Sequence, residues 1–511
     1  MYLKGFQLLL LNIALGLGTF IQILDTSIAN VAVPYIAGNL SVSADQGTWV
    51  ITSFAVSNAI VLPLTGWLSD YFGRVRLFVW SVLLFALMSF LCGFSSSLAM
   101  LVTFRVLQGA VAGCLIPLSQ SLIMEHNPPE KQGGAMGFWS SIVVVAPVAG
   151  PIMGGYLTDE YSWPWIFYIN VPIGIFSAFM VRTLLKGRET KIVRNPIDWV
   201  GLGLLSLSVG ALQVMLDKGK DLDWYESNFI LILTIVAVIA FCYFCLWNSK
   251  QKYPIIDFSF FKDRNFAIGT LCITMGYLFF FGSTVTVPLW LQTQQSYNAF
   301  WAGVAVAPIG IIPVLLSVRV GRNLKNFDLR VVVATSFLFF GLGFMYQSNF
   351  TTEISIVSVM LARFFQGFGL LIFFLPLLQL SLGNISKEKY ASAAGLFNFI
   401  RILVGSGFGT SLAIYLWSRL AIFHHARLSE SVTIYRSVTT QFYEYMSNAN
   451  AHFVTPVVDR VLDQLVTQQA YMLSTNDLSW MSAWIYILLI PLPLLCKRVV
   501  VKTDVQPVAA H

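Results

Sequence analysis

Fourteen apolar stretches follow one another along this 511-residue chain, and no soluble fold can bury them all. They fall at about 8–33, 47–67, 77–97, 101–123, 135–157, 165–185, 199–216, 229–247, 266–290, 301–318, 331–347, 355–382, 391–417 and 479–496. Each is about 18–28 residues long, enough to cross ~30 Å of hydrocarbon with some tilt. The chain is 57% hydrophobic and only 11% charged, whereas soluble domains run near 25% charged. The expectation is an all-α integral membrane protein with 14 transmembrane helices. The formal net charge of +7 does not point to nucleic acid, because the basic residues sit in short loops between spans. Met1–Lys4 leads straight into a span too long to be the core of a cleavable signal peptide. The six cysteines all lie in or at the ends of apolar spans, which argues against a disulfide framework and a CxxC zinc site. No cofactor is expected.

Lysine and arginine set the orientation. With the N-terminus in the cytoplasm, the loops on that side collect Arg74, Arg76, Lys186, Arg188, Arg319, Arg322 and most of the other basic residues. The short outer loops hold only Lys218 and Lys220. This positive-inside asymmetry places both termini in the cytoplasm. One outer segment is long. Residues 419–478 form a polar stretch between the last two spans, and a loop of that length is usually functional or disordered. Part of it reads as a helix, with Thr455 as cap, Pro456 at the first helical position, and an apolar stripe through Val458, Val461, Leu462, Leu465 and Val466. Such a helix either lies on the membrane surface or docks a partner. His424 and His425 are the candidate docking residues of the outer segment.

The chain repeats itself. Arg105-Val-Leu-Gln108-Gly109 with Pro117 returns as Arg363-Phe-Phe-Gln366-Gly367 with Pro376, about 258 residues later. The organisation expected is a six-helix bundle over 1–190, an inserted helix pair over 191–260, and a second six-helix bundle over 261–511. Parallel repeats of this kind mark transporters whose substrate site lies between the halves.

Charged and amide side chains inside the spans are the candidate chemistry. Asp25 is the lone acid of the first span, and a carboxylate at such depth costs roughly 2.5–3.5 kcal/mol to insert. Gln22, Asp25 and Ala32 share a helical face, with Asn30 beside it. Arg105 and Gln108 sit together in the fourth span, and Asn398 and Arg401 in the thirteenth. Asp25 and Arg105 are the candidate proton-coupling pair; Gln22, Asn30, Gln108, Asn398 and Arg401 are candidate cavity residues. The alternatives are hydrogen bonds that pin helix packing, and a structural tether for Arg105. Between spans two and three, Gly66, Asp70, Gly73, Arg74 and Arg76 form a glycine-hinged charged loop. It serves either as a gate whose charge network breaks when the halves move or as a topology signal alone. In the fifth span Pro147 and Pro151 remove backbone donors, and Gly150, Gly154 and Gly155 permit close helix contact. That helix is expected to seal against a neighbour from the other half.

These residues resemble the major facilitator superfamily, specifically its 14-helix drug:proton antiporters. GWLSDYFGRVR matches the motif between helices 2 and 3, RVLQGAVAG the helix-4 motif, APVAGPIMGGYL the antiporter motif of helix 5, and LDTSIANVAVP the helix-1 motif of drug exporters. The resemblance implies two pseudo-symmetric bundles and an inserted pair in the bacterial inner membrane. It implies efflux of small hydrophobic drugs driven by protons, with Asp25 and Arg105 coupling, the Gly66–Arg76 loop gating and the fifth span sealing. Relatives of this subtype work with a periplasmic membrane-fusion adaptor and an outer-membrane channel. The chain has no GxxxxGK[ST] sequence, so energy is expected from an ion gradient. A transporter of another solute, such as a siderophore or organic acid, is the alternative. A membrane-embedded enzyme lacks the clustered histidines, cysteines or carboxylates it would need.

Overall fold

A computed structural model of the chain describes residues 3, 5–190, 192–193, 196–219, 222–252, 254–386, 389–433, 435–449 and 455–498. Regular structure among them is entirely helical. The first half comprises α1 (Gly5–Asn39), α2 (Ala44–Gly47), α3 (Trp49–Val61), α4 (Thr65–Phe72), α5 (Arg74–Gly93), α6 (Leu98–Ala112), α7 (Leu115–His126), α8 (Pro129–Glu160), α9 (Trp165–Tyr168) and α10 (Asn170–Leu184). The pair α11 (Trp199–Lys218) and α12 (Asn228–Asn248) follows. The second half comprises α13 (Arg264–Gln294), α14 (Ala299–Val306), α15 (Pro308–Asn323), α16 (Leu329–Gln347), α17 (Ile356–Leu371), α18 (Phe374–Leu382) and α19 (Tyr390–Ile400). A π-helical stretch (Arg401–Phe408) then leads into α20 (Gly409–Ser431), α21 (Ser437–Ala449) and α22 (Thr455–Leu489).

Polar caps in the loops fix where the apolar helices begin. Ser97 accepts from the Met100 amide at 3.3 Å, Asp198 from Gly201 at 2.9 Å, and Asp263 from Phe266 at 2.9 Å. Each satisfies an amide that the first helical turn leaves without a partner. Among the described residues, twelve helical runs are long and apolar enough to cross a membrane, and a thirteenth is bent by 45° between Pro129–Pro147 and Ile152–Thr158. The remaining predicted span, 301–318, is helical but broken. Pro308 has no amide proton, so α14 stops after 8 residues and α15 restarts with 16. Neither piece alone is long enough to cross.

The start of α1 and the last described residues lie at one end of the bundle. Near the start of α1, Asn12 pairs with Asn127 at the end of α7. Near the C-terminus, Lys497 donates to Asn265 at the start of α13, and the Cys496 carbonyl accepts from Arg330 at the start of α16. The two halves meet closely at this same end. α8 packs along α15, and α19 against α4 and α7. Glycines make the approach possible. A Cβ on Gly133 or Gly137 would strike the carbonyl of Gly321 or Ser317, and one on Gly66 would lie 2.6 Å from the Ser392 Cβ. Trp139 stacks on Phe374 across the interface at 5.9 Å. Toward the opposite end α11 lies between α3 and the π-helical stretch.

The polar stretch 419–478 is not a loose loop. α20 and α22 continue the last two spans outward and pack together as a helical hairpin. Trp417 donates to Thr475 at 2.9 Å, Ser474 donates to the Trp417 carbonyl at 2.6 Å, and the Trp417 and Tyr471 rings lie 4.6 Å apart. α22 has 35 residues, about 52 Å at 1.5 Å per residue. The hydrocarbon core takes ~30 Å of that, so the hairpin projects well past the membrane. The helix expected after Thr455 exists, but as a continuation of the last span and not as a separate surface element.

Candidate functional site

A carboxylate, a guanidinium and two amides meet inside the first half. Asp25 sits in the half of α1 remote from the termini, and Arg105 in the matching part of α6. Both are buried, at 1% and 0% exposed. Arg105 Nη1 donates to Asp25 Oδ2 at 2.5 Å and to Gln108 Oε1 at 2.8 Å, while its Nε donates to the Val50 carbonyl at 2.9 Å. Gln108 Nε2 donates to Asp25 Oδ1 at 3.1 Å. The guanidinium plane rests 4.2 Å from the Phe54 ring centroid. Gly109 lets α6 come this close to α3, since a Cβ there would strike the Phe54 carbonyl. Ion pairing and multiple charge-assisted bonds are what a buried charge pair requires.

The fourth member was not a sequence expectation. Asn170, at the start of α10 and fully buried, donates Nδ2 to Asp25 Oδ1 at 2.9 Å and to Ser89 Oγ at 3.0 Å. Ser89 in turn donates to the Phe167 carbonyl at 2.9 Å. Its only sequence signal is an amide inside the apolar run WIFYINVPIG.

The structure distributes the other expected residues differently. Gln22 is buried one turn from Asp25, and its Oε1 has no partner. The Asn30 side chain lies outside the described residues. Asn398 belongs to the contact between halves: its Nδ2 donates to Gln120 Oε1 of α7 at 3.0 Å. Arg401 stays within the second half, over the rings of Tyr277 and Phe374 at 4.8 and 5.0 Å, and it donates to the Tyr277 hydroxyl at 2.9 Å. In this conformation neither lines an open cavity.

The glycine-hinged loop is braced by residues the sequence did not single out. Gly73 turns the chain with φ at 87°, a value glycine adopts without strain. Glu189 then accepts from the amides of Val75 (3.0 Å) and Arg76 (2.9 Å) at the start of α5, where an anion suits the helix dipole. Arg74 pairs with Glu125 at 3.2 Å, and Arg76 with Glu189 at 3.9 Å. Asp70 contributes its backbone carbonyl, which accepts from Val193 at 2.8 Å.

The fifth span does seal against the other half, with α8 lying along α15, but not through the glycines expected. Gly150 and Gly154 face Ser27 and Ile28 of α1 in their own half, and Gly155 faces open space. It is Gly133 and Gly137, about four turns earlier, that meet the other half. The kink itself is well accounted for. A proline at 151 leaves the Pro147 carbonyl without its helical donor, and Ser27 Oγ supplies one at 3.0 Å. The Pro151 side chain lies outside the described residues.

The two histidines are also engaged otherwise than expected. His424 pairs with Asp477 at 2.7 Å and His425 with Asp463 at 3.0 Å, each joining α20 to α22. They hold the hairpin together instead of presenting free rings to a partner.

The second half repeats the frame without the acid. Arg363, 1% exposed, donates to Gln366 Oε1 at 2.7 Å and to the Ser283 carbonyl at 3.0 Å. Gln366 donates to Gln347, which donates to Ser479 at 2.7 Å. The offset that takes Arg105 to Arg363 takes Asp25 to Ser283 and Ser89 to Gln347. A hydroxyl residue thus stands where the first half has its carboxylate.

Known proteins share this architecture. The family model of the Major Facilitator Superfamily matches residues 15–410. The multidrug export protein EmrB of Escherichia coli (strain K12) is 47% identical over 491 residues, which cover 96% of this chain and 95% of that protein. The fatty acid resistance protein FarB of Neisseria gonorrhoeae is 44% identical over 495 residues, 97% of each chain. The probable multidrug resistance protein EmrY of Escherichia coli (strain K12) is 45% identical over 95% of each. Among solved structures, the human organic anion transporter MFSD10 (TETRAN) superposes with a TM-score of 0.54 at 12% identity, over 94% of this chain and 100% of that one. That last likeness speaks to the fold alone.

Proposed function

The chain belongs to the major facilitator superfamily, and from that premise we propose that it is a proton-driven multidrug efflux antiporter of the bacterial inner membrane. It exports hydrophobic and amphipathic toxic compounds by alternating access, a secondary active transporter and not an enzyme. The names of the EmrB and EmrY relatives support the substrate class. The observation that carries the coupling is the Asp25–Arg105 pair, a buried carboxylate whose charge is matched by one guanidinium. Protonating Asp25 leaves that guanidinium unmatched, so loading the site is coupled to rearrangement around it. With both termini cytoplasmic, the close contacts at Gly66, Gly133, Gly137 and Asn398 shut the cytoplasmic side. The gradient suffices: one charge crossing 100 mV yields about 2.3 kcal/mol, and each pH unit adds about 1.4 kcal/mol.

The units 1–190, 191–260 and 261–511 act as first bundle, inserted pair and second bundle. The α20–α22 hairpin projects into the periplasm and docks a membrane-fusion adaptor, which hands substrate to an outer-membrane channel. Exposed Ile422, Phe423 and Leu465 on the hairpin support a protein partner there. The FarB relative, named for fatty acid resistance, favours a substrate range that extends to amphipathic acids. Purified protein in liposomes with an imposed pH gradient tests the function. Dyes and long-chain acids should move against their gradients and stop when an uncoupler is added. Movement that ignores the pH gradient would overturn the reading.

A further inference from the structure

Every hydrogen-bond partner of Asp25 is a donor. Arg105 Nη1 serves Oδ2, and Gln108 Nε2 and Asn170 Nδ2 serve Oδ1. The site as built suits a carboxylate and offers nothing to a carboxylic acid, whose O–H must itself donate. An unpaired buried hydroxyl is costly. The Gln108 oxygen is taken, since it accepts from Arg105 and from Cys92. The Asn170 oxygen is free: Oδ1 is buried and has no partner. We propose that Asn170 is a positioning residue that switches with the proton, its side-chain amide rotating by about half a turn to accept from protonated Asp25. This rests on Asp25 being the coupling acid.

The atoms balance. Hydronium from the outer aqueous side gives its proton to Asp25 Oδ1 and leaves as water, and the new O–H donates to Asn170 Oδ1. Before the rotation Nδ2 is bonded and Oδ1 is not; afterwards the roles are reversed. One amide atom of Asn170 lacks a protein partner in either state. Ser89, which accepts from Nδ2 and donates to the Phe167 carbonyl in the charged state, turns its one O–H to Oδ1 in the neutral one and releases that carbonyl. Gln22 Oε1 is the other unpartnered acceptor on this face of α1, but Asn170 already touches the oxygen in question. Among the described residues, the titratable groups at the Asp25 cluster are Arg105 on α6 and Cys92 on α5, and the part of α8 against this stretch of α1 presents Pro147, Gly150 and Gly154. α3 carries none, and Arg182 on α10 lies about 18 Å along its helix from Asn170.

The test has a sign. Asn170→Leu removes one of several donors from the carboxylate but the acceptor that the acid uses. Proton-driven dye uptake in liposomes should then need a lower pH, its half-maximal point falling by about one unit. Asn170→Ser, whose hydroxyl donates or accepts without rotating, should restore the midpoint. A residue that merely steadies the anion would move the Asn170→Leu midpoint upward, and either that shift or an unmoved midpoint overturns the proposal. Infrared difference spectra across the same pH range give a second reading. The protonated-carboxyl band, assigned by its loss in Asp25→Asn, should shift in Asn170→Leu, and an unchanged band contradicts the switch. Asp25→Asn transporting undiminished would instead defeat the coupling reading beneath it.

Discussion

A guanidinium is planar and forked, and the Asp25 site uses that shape. Arg105 reaches a carboxylate, an amide oxygen and a backbone carbonyl in three directions from one headgroup. An ammonium cannot hold that geometry. Arg105→Lys should therefore insert normally and lose at least about tenfold in gradient-driven transport; transport within twofold of wild type would show that a bare charge suffices. The Ser27 hydroxyl, sole substitute donor for the Pro147 carbonyl, gives a second residue-scale expectation. Ser27→Ala should lower thermal stability in detergent by about 0.5–1.5 kcal/mol, and an unchanged melting curve would mean that the kink needs no such support. Asp25, Arg105 and Gln108 were legible because charged and amide groups are rare in apolar runs. Asn170 was not, because one asparagine two residues before a proline looks like a helix start. The Val50 carbonyl and the Ser27 hydroxyl take part through tertiary approach alone, which no local pattern encodes.

Apolar length located the membrane helices, and length is a signal of one element at a time. It did not foresee that α14 and α15 are separate pieces, although Pro308 carries the reason. Nor did it foresee the hairpin, because polarity reads as loop when two helices leave the membrane and bury polar and aromatic side chains against each other. His424 and His425 illustrate this. They drew notice as an exposed pair, yet each is matched by an aspartate 53 or 38 residues away. Cysteines at 424 and 477 should form a disulfide joining α20 to α22 and leave transport by the isolated protein intact, since the two arms move as one body. Loss of transport on cross-linking, restored by reductant, would instead make the hairpin a moving part. The same scale shows why the glycines of the fifth span were assigned to the wrong contact. Its proline–glycine run announces a close contact but does not say with which helix, and the answer is α1.

The whole molecule is two halves closed on one another at the end where α1 begins and Lys497 meets α13. Alternating access requires that closure to open once per cycle. A cysteine pair at Gln120 and Asn398, whose side chains meet across the halves, bridged by a short reducible cross-linker, should block transport and recover on reduction; a cross-linked protein that still transports would show the halves need not part there. The repeat was legible as sequence and predicted two comparable frames, but it could not show that only one frame has an acid. That asymmetry gives the central claim its sharpest form, namely that one carboxylate exchanges protons for drug. Proton movement evoked by adding drug to sealed, de-energised proteoliposomes measures this directly. Wild-type protein should carry protons across the membrane as drug is transported, and Asp25→Asn, folded and inserted alike, should carry none. Equal proton movement in both would contradict the account.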